Sequence, residues 1–128
     1  MDRLASAWLI RRFIDPSAVF RFVGTDEIEE AAKGSVTFDV NGGDFTHVGQ
    51  LCTFEVLVRA FGIKDSALNK IAEIVHDIDI RDGKYNNPLT KGIESLLIGL
   101  SRTARDDMEA LHMAINLFEM LYVSEKHT

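Results

Sequence analysis

The chain has 128 residues, 46% of them hydrophobic and 27% charged, the balance of one globular domain with its own core. Fourteen Lys and Arg against twenty Asp and Glu leave a net charge of −6, which argues against a general electrostatic grip on nucleic acid. Cys52 has no second cysteine to pair with, and no apolar run nears the roughly 20 residues that span a bilayer.

Residues 2–14 carry a helical pattern. Leu4, Trp8, Ile10 and Phe13, with Ala5, Ala7 and Leu9, form a broad apolar surface, while Arg3, Arg11 and Arg12 stay polar. Asp15-Pro16 stops the helix, because the residue before proline is driven out of the α region. Residues 19–23 then read as a buried strand, rich in β-branched and aromatic side chains. Thr25 caps a short helix with Asp26 and Glu27 at its positive end, Lys33-Gly34 closes it, and residues 36–40 form a second strand. Strand, helix, strand with short connections predicts a parallel pair with a right-handed crossover. Residues 41–44, Asn-Gly-Gly-Asp, then occupy the carboxyl edge where such sheets place their functional loops.

The back half is helical in pattern. Cys52 or Thr53 opens a helix through Phe61, and Gly62 closes it. Asp65 or Ser66 caps the next, which runs to about Arg81. A polar loop over residues 82–87 leads to Pro88 and to helices near 90–100 and 106–123, with Leu96, Leu97, Leu100, Leu111, Ile115, Phe118 and Leu121 directed inward. The expected fold is therefore α/β: a small, mainly parallel sheet with crossover helices in front, packed against a helical C-terminal half, in a single domain over residues 1–128.

Residues with chemical capacity fall at a few places. Asp39 sits near the end of an apolar strand, where a buried carboxylate needs a partner or a metal; the competing role is a cap on the glycine turn. His47 lies in the loop at the same sheet edge, as a ligand or an ordinary loop histidine. On the helix before the polar loop, Ile71, Ile74, Val75 and Ile78 face the core. Asp82 falls in that arc if the helix persists, with Asp79 about 60° away and His76 about 60° further. Carboxylates at i and i+3 near a negative helix end call for a cation, either a divalent metal or a side chain such as Arg81 or Lys84. Cys52 at a helix start has either a dipole-stabilised thiolate or a buried, inert thiol. Glu55, three residues on, reads as capping chemistry. Arg3 and Arg12 are candidate oxyanion partners, and phosphate-loop, nucleophile-elbow and paired-cysteine motifs are missing.

Three blocks carry a family resemblance: residues 2–16 (DRLASAWLIRRFIDP), Thr46-His47-Val48-Gly49 with Cys52-Thr53-Phe54-Glu55, and residues 74–84 (IVHDIDIRDGK). In order and spacing they resemble the C-terminal domain of the ChrB chromate-resistance family. That resemblance implies a role in chromate resistance. Longer members carry an N-terminal part similar to a DNA-binding module and act as chromate-responsive regulators; this chain begins at the C-terminal domain, so direct DNA binding is not expected of it. A second, more distant resemblance is to DHH-type phosphoesterases, which hold divalent metals, often manganese. It matches Asp2 to a first-motif aspartate, Asp39 to a strand-end aspartate and His47 to one residue of the Asp-His-His motif. Asp79 and Asp82 resemble an Asp-x-x-Asp-x-Gly-like element, although Gly83 follows Asp82 directly.

The expectation is a cytoplasmic chromate-resistance domain that senses or binds metal or oxyanion. Its metal site takes Asp39, His47 and Asp79, supported by Asp2 and Asp82, and holds Mn, Fe, Zn or Mg. His76 is the acid/base or supporting group, and Arg3 and Arg12 hold an oxyanion beside the metal. Lack of a signal segment gives the cytoplasmic placement. A metal-dependent hydrolase, a redox enzyme and a non-catalytic interaction module, with an apolar patch for a partner or for self-association, stay open as alternatives, as does a homodimer.

Overall fold

The computed structural model describes residues 2–22 and 50–126. Five α-helices carry these residues: α1 (Asp2–Leu9), α2 (Thr53–Ala60), α3 (Ser66–Asp79), α4 (Thr90–Thr103) and α5 (Asp107–Lys126). Among the described residues there is no strand. The α/β expectation, with its parallel sheet, gives way to a helical fold. Val19 to Phe22, expected as a strand, is irregular, and Val19 is 86% exposed. Its neighbours are held by side chains instead of a ladder: the Arg11 guanidinium donates to the Ala18 carbonyl (3.2 Å) and lies over the Phe20 ring (5.0 Å). β-Branched and aromatic content favours a pleated surface only where a partner strand buries it. The expected short helix, the second strand at 36–40 and the glycine loop lie outside the described residues.

α1 runs into a single wide turn, Ile10–Ile14, where the Asp15 N–H reaches five residues back to the Ile10 carbonyl at 2.7 Å. Pro16 cannot continue a helix, so the chain leaves there. The second half of α1 is buried all round: Ala5, Ser6, Ala7, Trp8 and Leu9 are each 2% exposed or less. It packs most extensively on α5 and also meets α2 and α3. Trp8 is the hub. Its ring stacks on Phe54 of α2 (6.4 Å) and Phe118 of α5 (6.1 Å), and it meets Phe13 edge-on (5.9 Å). Its indole N–H donates to Glu119 at 3.0 Å, so the one polar atom of the ring is satisfied at the edge of the core.

α3 and α5 are tied at their ends. Asp65 caps α3 by accepting from the Leu68 N–H (3.1 Å), and its other oxygen accepts from the Tyr122 hydroxyl (2.6 Å) and from Lys126 (3.4 Å). α4 covers less. Leu97 and Leu100 are buried against α3 and α5, but Leu96, expected to point inward, is 58% exposed. Consecutive residues are about 100° apart on a helix, so Leu96 and Leu97 cannot both face one narrow contact.

Candidate functional site

The polar side chains buried in this helical core converge where α1, α2 and α3 meet. α2 begins at Thr53, after Cys52, whose N–H donates to the carboxylate of Glu55 at 3.1 Å. Glu55 thus reaches back from the third helical position to cap its own helix, as its spacing suggests. The first amides of α2 are satisfied from α1. The Asp2 carboxylate, 2% exposed, accepts from the Thr53 N–H (2.8 Å) on one oxygen and from the Phe54 N–H (2.9 Å) on the other. Ser6 Oγ lies 3.3 Å from Asp2 and donates to it. A buried anion here is stabilised by these hydrogen bonds and by the positive end of α2. Asp2 was expected to support a metal; the structure places it as the tie between α1 and α2.

Glu55 has a second task. His76, fully buried on α3, places Nδ1 at 2.6 Å from Glu55 Oε1. Its other nitrogen, Nε2, faces both oxygens of Asp82 at 3.0 and 3.1 Å. Burial alone would lower the pKa of His76, but the hydrogen bonds to Glu55 and then Asp82 outweigh it and hold the value above the ordinary 6.5. The bond from His76 lowers the pKa of Asp82 below its ordinary 3.8. The Tyr85 ring meets His76 edge-on at 5.1 Å, and Lys84 Nζ lies over that ring at 5.1 Å. Glu55 therefore closes the inner side of the imidazole, while Asp82 and Tyr85, both in the exposed loop, close the outer side.

The loop that delivers them turns sharply. α3 ends at Asp79, and Arg81, Gly83 and Asn86 all have positive φ (59°, 70° and 51°). Asp77, in the last turn of α3, accepts from the Tyr85 N–H (3.3 Å), the Asn87 N–H (2.8 Å) and the Thr90 hydroxyl (3.2 Å). Glu73, one turn earlier, accepts from the Asn87 side-chain amide at 3.3 Å, and Arg81 pairs with Glu94 of α4.

Cys52 is fully buried. Burial, then the negative charge of Asp2, pushes its thiol pKa up, so the helix-start position does not yield a thiolate; of its two readings, the inert one fits.

The remaining expected site residues that the structure describes do not gather at His76. Asp79 is exposed on the last turn of α3. Arg3 is exposed on α1, and Arg12 Nε pairs with Glu119 at 3.2 Å, with its guanidinium 5.3 Å from the Phe13 and Tyr122 ring centres. Asp39 and His47 lie outside the described residues. Among the described residues, no three His, Cys, Asp or Glu side chains form a metal-holding group. Glu55, expected only as capping chemistry, and Asp77, to which the sequence pattern assigns no role, are the working residues that sequence reasoning missed. The usable signal for Glu55 was its place one capping spacing after Cys52 in a chain with an otherwise unexplained core histidine.

Residues 1–125 match the family model described as "ChrB, C-terminal domain". Protein ChrB of Cupriavidus metallidurans is 33% identical over 123 residues, covering 95% of this chain and 37% of that protein. The chain thus spans little more than a third of the length of that relative. No solved structure matches it.

Proposed function

We propose, since this chain belongs to the ChrB C-terminal domain family, that it serves in chromate resistance as a domain that binds a divalent cation, with His76 and Asp82 as the inner pair of ligands. The observation that carries this reading is the division of labour between the two nitrogens of His76. Nδ1 is tied to Glu55, which is itself anchored on the Cys52 amide. Metal-ligating histidines give their second N–H to a carboxylate in this manner, which fixes the tautomer and raises the basicity of the ligating nitrogen. Nε2 is then left facing a solvent-accessible carboxylate whose two oxygens are nearly equidistant from it. One imidazole and one carboxylate are the donor types that suit Mn, Fe, Zn or Mg. When bound, the cation would supply a fixed positive charge in place of the proton that otherwise bridges His76 and Asp82.

The other residues divide between support and completion of the site. Asp2 holds the start of α2 and so the backbone from which Glu55 projects. Asp79, Asp39 and His47 are the proposed source of further donors. Arg3 is the proposed oxyanion partner. Arg12 would have to give up its pairing with Glu119 to serve beside it.

Elemental analysis of the purified protein and titration of the metal-free chain with Mn²⁺ and Zn²⁺ test the reading. One equivalent should bind, and His76→Gln and Asp82→Asn should each weaken binding by about tenfold or more with helix content unchanged. Absence of binding at millimolar metal would overturn it.

A further inference from the structure

We infer that Asp77 is the positioning residue of the site: its carboxylate folds the segment after α3 back so that Asp82 and Tyr85 reach His76. The importance of that delivery rests on the reading of His76 and Asp82 as a ligand pair; the delivery itself rests on geometry alone. Asp82 lies six residues after His76, and in a continued helix it would sit about 240° round the axis and about 9 Å along it, out of reach. The contact exists because α3 stops at Asp79 and the chain reverses through three positive-φ residues, two of which are not glycine. Such a backbone needs to be held from outside the turn. Asp82 makes one local bond, accepting from the Lys84 N–H at 3.1 Å. Asp77 makes three, from Tyr85, Asn87 and Thr90, which span the loop from its middle to the start of α4. The half-buried Asp77 carboxylate is thus the fixed point of the loop, and Tyr85, whose amide it holds, carries the ring that closes over His76. Asp77 touches neither the imidazole nor the proposed cation, so it acts through Asp82 and Tyr85.

The test uses the full chain, metal-free and then with Mn²⁺ as the probe. In the metal-free protein, NMR cross-peaks between the Tyr85 and His76 rings report the delivered loop. Asp77→Asn, which keeps the size and one acceptor oxygen but loses the charge and the second acceptor, should strongly weaken these cross-peaks. Leu100→Ala, a core change chosen for an equal or greater loss of stability, should leave them intact. With Mn²⁺, Asp77→Asn should weaken binding about tenfold, and the same change in an Asp82→Asn background should have no further effect. Undiminished cross-peaks in Asp77→Asn, equal loss in Leu100→Ala, or additive effects in the double variant would each overturn the proposal. If Asp77→Asn does not fold, Thr90→Val removes a single donor, and partial loss of the cross-peaks is expected; unchanged cross-peaks would count against it. Should the wild-type chain bind no Mn²⁺, the metal reading falls, and the cross-peaks alone decide the positioning role.

Discussion

The two oxygens of Asp82 lie 3.0 and 3.1 Å from Nε2 of His76, although the sequence places His76 on a helix and Asp82 at the start of the polar loop that follows it. The opposite nitrogen is taken by Glu55 at 2.6 Å. A buried imidazole between two carboxylates is most stable when both nitrogens carry protons, or when a cation replaces one of them.

The first prediction is a pH dependence of the metal-free protein. His76 has its pKa raised on folding, so its contribution to stability is fully present below 6.5 and is lost as pH rises through the folded value. Asp82 has its pKa lowered, so its contribution is present above 3.8 and is lost as pH falls through the folded value. Urea denaturation across pH should therefore show stability greatest between these limits and declining above 6.5. His76→Gln should flatten the alkaline decline, and an unchanged slope in that variant would assign it to other groups.

A second prediction concerns Asp2. Asp2→Ala leaves the Thr53 and Phe54 amides without their carboxylate partner in a buried place, at a cost of about 2 kcal/mol. Asp2→Asn keeps one acceptor oxygen and should cost less. Chemical denaturation of the three proteins gives the order.

Trp8 is the third. It is 1% exposed and touches aromatic rings from α2 and α5, so Trp8→Ala should cost about 4 kcal/mol and move the thermal midpoint by many degrees. Glu119→Gln, which keeps an acceptor for the indole N–H but weakens the pairing with Arg12, should cost under about 1 kcal/mol because that pair is largely exposed. Calorimetry of both variants checks the contrast.

Gly83 supplies the fourth. An added Cβ meets only Asn86 Oδ1, at 3.8 Å, so there is room for it; the strain is in the backbone, at φ 70°. Gly83→Ala should destabilise by about 1 kcal/mol and weaken the His76–Asp82 contact, whereas Gly92→Ala, within α4 and with nothing near its Cβ, should stabilise slightly. Equal effects at the two glycines would remove the special role of the turn.

The four back-half helices were legible from their apolar spacing, helped by caps and glycines at some of their ends. Asp65 caps α3 as its position implied, Gly62 follows α2, and Leu111, Phe118 and Leu121 are buried as their spacing required. The strand at Val19 to Phe22 was misread because a short apolar run has the same composition whether it lies in a sheet or against an arginine-bearing helix end. In the site, His76, Asp82 and Asp2 stood out as unusual polar residues, but their partners did not. Glu55 looked like a cap and is one, and its bond to His76 arises from packing α2 against α3, across 21 residues of sequence.

Sequence alone determined the helical back half, the ChrB family membership and the short inventory of carboxylates and imidazoles available for chemistry. Tertiary structure decided which of them meet. Helical periodicity and capping are encoded within a few neighbouring residues, whereas contact between Asp2 and α2, or between Glu55 and His76, depends on how whole helices pack. The return of Asp82 to His76 depends on the helix ending at Asp79, and on the loop that follows being held by Asp77.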